Sequence, residues 1–196
     1  MAYATVEDIK EYLGLDGNED YTLISNLLDR ATQYIDDYTR TSFAVDTDTS
    51  HYYDVNEDTD GQTLWLREPL ASITTVQSNA DATTPTTLTT AQYVTIPRNK
   101  TPYYGLKILG SSTLYWNYTN DPEAGIKITG KFGYSTSAPA DIKHACIRLA
   151  SYYYRQKDSQ VFDVTAIPEA GVITAPIGVP SDVRKILDEY QERIHT

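Results

Sequence analysis

Hydrophobic residues recur along this chain in two rhythms, and the rhythms are segregated. At both ends they return about every 3.6 residues; in the middle they alternate or gather in short β-branched and aromatic runs. A segment written in one rhythm cannot adopt the other structure without turning much of its apolar surface to water. The pattern therefore predicts an α+β fold. Its helices, N- and C-terminal, form a small bundle (1–42 and 138–196, with an extended arm over about 158–180). Residues 43–137 form an inserted antiparallel β unit.

The helical stretches carry their own punctuation. Thr5-Val-Glu-Asp8 fits a capping box with Asp in place of the preferred Glu or Gln, and Gly14 stops the helix. A second helix starts near Asp20 or Thr22 and carries Leu23, Ile24, Leu27, Leu28, Ala31, Tyr34, Ile35 and Tyr38 as one stripe. Pro139 suits the first turn of a third helix, whose buried side is Ile142, Ala145, Cys146, Leu149, Ala150 and Tyr153. Arg148, Tyr152 and Arg155 fall on its other side. Ser181 caps a fourth helix, with Ile186, Tyr190 and Ile194 among its apolar residues.

Between the helices, strands are expected over 51–55, 63–66, 71–78, 92–96, 104–109, 113–117 and 125–132. Asp60-Gly61, Pro97-Arg-Asn-Lys100, Gly110-Ser-Ser112 and Asn120-Asp-Pro122 supply turns. The Thr-rich run 82–90 reads as an exposed loop. Residues 160–180 lack periodicity and read as a loose hairpin, 161–167 with 172–177, or as an extended arm.

The chain offers little for catalysis. Its three histidines, His51, His144 and His195, have no metal ligand at the spacing a site needs, and no Cys-x-x-Cys or His-Glu-x-x-His occurs. Cys146 lies on an apolar stripe, as a buried small hydrophobe does. No nucleophile elbow, phosphate-binding loop or dinucleotide-binding glycine pattern is present. Asn56, Asp58 and Asp60 resemble the first half of a calcium loop. The twelfth position is Arg67 where a bidentate Glu is required, so an acidic β-turn is the better reading. No catalytic residue, metal or cofactor is expected.

Composition narrows the partners. A formal net charge of -11 opposes binding that relies on Lys and Arg displacing counterions from phosphates, and it keeps nucleic acid from sticking. The lone cysteine cannot form an internal disulfide, the start lacks a basic patch followed by an apolar run, and nothing approaches the length of a membrane span. The chain reads as a protein made in a cytoplasm, with no membrane partner. Tyrosine is in excess, 17 against 3 Phe and 2 Trp. A ring with a polar tip suits surfaces that are wet in one state and covered in another. In Tyr152-Tyr-Tyr154 the rings point about 100° apart, so one core cannot take all three.

Several stretches in order are similar to phage head–tail connector (adaptor) proteins of tailed double-stranded DNA bacteriophages. They are Tyr3-Ala-Thr-Val-Glu-Asp-Ile-Lys-Glu-Tyr-Leu-Gly14, Asp37-Tyr-Thr-Arg-Thr-Ser-Phe43, Leu64-Trp-Leu-Arg-Glu-Pro-Leu-Ala-Ser-Ile-Thr-Thr-Val76, Ile126-Lys-Ile-Thr-Gly-Lys-Phe-Gly-Tyr134 and Ala138-Pro-Ala-Asp-Ile-Lys-His-Ala145. The resemblance implies a non-enzymatic virion protein of the neck, assembled in the host cytoplasm. It implies a homo-oligomeric ring of twelve copies beneath the portal protein, joined on its far side to the next neck protein (a stopper or tail completion protein). DNA would pass through its channel without specific binding. Arg148, Tyr152 and Arg155 become candidate subunit contacts, and Ile186, Tyr190 and Ile194 candidate portal contacts. Residues 79–90 and 160–180 match no part of that pattern. The competing class is a carbohydrate-binding or glycoside-hydrolysing β-domain with helical flanks, in which Trp65 or Trp116 would stack on a sugar.

Overall fold

In the computed structural model of the protein, residues 2–18, 20–157, 165–167, 171–173 and 178–195 are described. The side chains of 165–167, 171–173 and 192–195 lie outside that description. The fold is α+β, in two compact units: Met1–Arg40 with Ala138–Thr196, and Thr41–Ser137.

The first unit contains α1 (Val6–Leu13), α2 (Tyr21–Thr39), α3 (Ala140–Gln156) and α4 (Ser181–His195). The capping box forms as written: the Thr5 side chain accepts from the Asp8 amide, and the Asp8 carboxylate accepts from the Thr5 amide. Gly14 takes the left-handed conformation (φ 67°) and its amide returns to the last turn of α1, a shape that costs a residue without Cβ little. Ile9, Ile24, Leu28, Ala31, Ile35, Ile142, Ala145, Cys146, Leu149, Val183 and Leu187 are buried together in this unit. At roughly 1.5–3 kcal/mol for each large aliphatic side chain, their burial is the main force holding the helices. Pro139 precedes the first turn of α3 as its N-cap, and Ser181 is the first helical residue of α4.

The second unit is one seven-stranded antiparallel sheet of β1 (Thr49–Tyr53), β2 (Thr59–Asp60), β3 (Thr63–Ser78), β4 (Thr86–Leu88), β5 (Tyr93–Ile96), β6 (Tyr103–Ile108) and β7 (Ile126–Phe132). Its path is β1-β7-β3-β6-β5, with β2 and β4 added on β3. The 16-residue β3 organises it: residues 63–70 pair with β6, and residues 70–78 pair with β7. The strands expected over 63–66 and 71–78 are thus one strand. Its register slips near Leu70, and Pro69 sits at the slip, where an absent N–H breaks no ladder. Two irregularities, between Leu70 and Ser72 and between Ile73 and Thr75, together restore the strand's parity, so Leu64 and Val76, twelve positions apart, both reach one core with Leu106, Ile108, Ile126 and Ile128.

Two expectations fail here for one reason. The segment expected as a strand over 113–117 has no ladder; the Ser78 hydroxyl holds it instead, donating to the Tyr115 carbonyl and accepting from the Asn117 amide. The Thr-rich run contains β4, which pairs with Val76–Ser78 and buries Leu88. In both cases the far end of β3 selects the partner, and no local pattern records that choice. Near the C-terminal end, β8 (Thr165–Ile167) and β9 (Gly171–Ile173) form a short hairpin. Of the rest of the proposed arm, only residues 178–180 are among those described.

Candidate functional site

The three consecutive tyrosines near the end of α3 reach three different surroundings. Tyr153 points toward α2, with the Arg30 guanidinium 4.3 Å from its ring centre. The Tyr154 hydroxyl donates to Asp20 at 2.6 Å, and Lys157 binds the same carboxylate at 3.0 Å. These bonds hold the Asp20 carboxyl below its ordinary value, the Tyr154 bond contributing most. Tyr152, its ring centre 6.1 Å from that of Tyr153, lines a groove of about 220 Å³ with Tyr12, Arg148, Ser151, Arg155 and Pro180.

Arg148 builds that groove. Its guanidinium donates to Asp182 of α4 at 2.8 Å and to the Tyr12 hydroxyl of α1 at 2.9 Å, so one side chain ties three helices at their surface. Tyr152 is half-buried beside it, and Arg155 is exposed. The sequence brought Arg148, Tyr152 and Arg155 together through their helical spacing. It gave no sign of Tyr12 or Pro180, which come from distant parts of the chain.

Tyrosine pairs with aspartate elsewhere in this unit. Tyr3 donates to Asp36 and Tyr38 to Asp188, across 33 and 150 residues of chain. Burial raises the Asp36 carboxyl above its usual range despite the Tyr3 bond. Part of the tyrosine excess therefore serves as polar clamps between helices, a use that the reading of tyrosine as covered surface did not include. Among the described residues, six large hydrophobic side chains remain exposed: Tyr12, Tyr21, Tyr52, Trp65, Tyr115 and Tyr118.

The other candidate residues are distributed as follows. On α4, Tyr190 is 5 % exposed and packs in the helical unit's own core. Ile186 is half-buried, and the side chain of Ile194 lies outside the described residues. The Asn56–Asp60 turn is closed by protein groups. Asp58 accepts Arg67 bidentately, at 3.0 and 2.7 Å, and also the Asp54 amide; the Asn56 amide donates to Asp54. Asp60 lies in β2. Asn56 and Asp58 thus lie in the turn and Asp60 on the strand that follows; among the described residues no group of three His, Cys, Asp or Glu side chains is placed to hold a metal ion. Trp116 is buried, its indole N–H donating to the Gln62 carbonyl at 3.0 Å, so it is not offered to a sugar. Trp65 is half-exposed on β3. No helix among the described residues is long and apolar enough to cross a membrane.

No curated protein shows a significant match to the sequence. Among solved structures, the chain is similar to one from the neck of an empty gene transfer agent particle computed with C6 symmetry. That similarity has a TM-score of 0.57 and 17 % identity, over 94 % of this chain and 87 % of the other. It is also similar to a chain from the neck of the native particle computed with C12 symmetry (TM-score 0.54, 17 % identity, 94 % and 86 % covered). A third is from the virion of the native gene transfer agent particle (TM-score 0.54, 20 % identity, 94 % and 87 % covered). At these identities the likeness speaks for the fold alone. The family model for head completion proteins matches residues 2–193, and the chain belongs to the head completion protein family.

Proposed function

We propose that this protein is a non-catalytic structural subunit of a virion neck, where twelve copies form a ring between the DNA-filled head and the tail. Family membership over residues 2–193 carries the reading. The similar chains come from particle necks computed with C6 and C12 symmetry, which is consistent with a ring. On one side the ring meets the portal; on the other it meets the next neck protein. DNA passes through its channel, and the net charge of -11 suits a wall that duplex DNA slides past.

The portal contact is assigned to α4. Tyr190 is committed to the unit's own core, so the outward Arg184 and Lys185 are better placed for it than Tyr190. Cryo-electron microscopy of the assembled particle tests the whole reading. The expected density is a closed ring of this chain under the portal, with a net negative inner wall. A position elsewhere in the particle, or a basic channel wall, would overturn it.

A further inference from the structure

The groove on α3 and the outer side of α2 are complementary and face away from each other. Cys146 and Tyr153 look toward α2, through Thr32 at 3.7 Å and Arg30. Arg148 and Arg155 each follow one of these by two residues, which places them about 200° around the helix. The groove thus opens on the side of α3 opposite α2.

On α2, the buried side is Ile24, Leu28, Ala31, Thr32 and Ile35. Its exposed stripe runs through Asp29, Gln33 and Asp37, away from that core. Neither Asp29 nor Asp37 has a hydrogen bond or an ion pair among the described residues, and neither does Arg155. The spacings also agree. Arg148 and Arg155 are about 10.5 Å apart along their helix, and Asp29 and Asp37 about 12 Å.

We infer that two copies of this chain bind head to tail, the acidic stripe of α2 on one copy entering the Arg148–Tyr152–Arg155 groove of the next. This rests on the ring reading and specifies its contact. Each copy offers two different faces on opposite sides of the helical unit, as a closed ring of identical subunits requires. Tyr152 and the two arginines supply the aromatic and guanidinium groups that anchor such interfaces.

Sedimentation velocity over a concentration series tests it, with wild type, R155E, D37K and the chain carrying both changes. Both positions are exposed, so the fold, checked by circular dichroism, should be kept. Each single reversal is expected to weaken association by about tenfold, and the double reversal to restore much of it. Wild-type association that none of these changes moves overturns the contact and leaves the ring standing. Wild type that stays monomeric up to millimolar concentration overturns the contact as a property of this chain. The ring itself stands or falls separately on the particle micrographs.

Discussion

Cys146 shows how one environment decides what a side chain can do. It is fully buried on α3, and burial pushes its thiol up to about 11, with weak opposition from the Thr32 hydroxyl. At pH 8 it is a protonated, inaccessible thiol and no nucleophile. Ellman's reagent should leave the native protein unreacted and titrate one thiol per chain in denaturant; rapid reaction of the folded chain would contradict the burial. Asp8 has the opposite electrostatic setting. Lys143, 2.8 Å away, does most to hold its carboxyl below the ordinary value, and the Thr5 bonds add to the effect. A lowered folded value means the ionised form stabilises the fold. That contribution is complete above about pH 4 and fades as pH falls through the folded value. Asp8→Asn should therefore cost about 1 kcal/mol at pH 7 in urea unfolding. The gap from wild type should close below pH 4, and a constant gap across that range would refute the assignment.

At the scale of elements, the helices were legible and the sheet only partly so. The capping box, Gly14 and the 3.6-residue stripes are local signals, and α1 and α2 end within a few residues of where those signals stand. β7 was legible too, because Ile126, Ile128, Gly130 and Phe132 alternate with Lys127, Thr129 and Lys131. What escaped were choices made by distant chain: the single β3 in place of two strands, β4 inside a Thr-rich run, and the Ser78 clasp on residues 115–117. The groove was half legible for the same reason. Helical spacing joins Arg148, Tyr152 and Arg155, but nothing local announces Tyr12 or the Tyr–Asp clamps. Gly130 is where the sheet's demands are strictest. It pairs with Thr49 on one side and Ile73 on the other, next to the β3 irregularities. A Cβ there would stand 2.2 Å from the Ser72 carbonyl oxygen, and backbone cannot yield as a side-chain tip can. Gly130→Ala should destabilise the β unit by about 3 kcal/mol in chemical denaturation, at the upper end for overpacking. A loss below about 0.5 kcal/mol would mean that β3 and β7 part more easily than their close approach implies.

For the molecule as a whole, the question is whether the β unit depends on the helices that flank it in sequence. Its two ends are bound to each other within the unit. The Val45 amide donates to the Ser135 carbonyl at 3.1 Å, and the Tyr134 amide to the Ser42 carbonyl at 2.7 Å. The Ser135 hydroxyl donates to the Phe43 carbonyl at 2.8 Å, and the Phe43 and Tyr134 rings meet with centres 5.2 Å apart. A segment closed at its own base loses little when the flanking chain is removed, because the entropy of bringing its ends together is offset by bonds that it keeps. Its core of Tyr53, Leu64, Leu70, Val76, Leu106, Ile108, Trp116, Ile126 and Ile128 also lies wholly inside the segment. A fragment of residues 41–137 should therefore fold alone, with dispersed amide resonances and one cooperative urea transition. In the intact chain the same transition should be seen beside a second one from the helical unit. Should the fragment be a random coil, the closure at its base is too weak to define a domain, and the β unit needs the helices in order to fold.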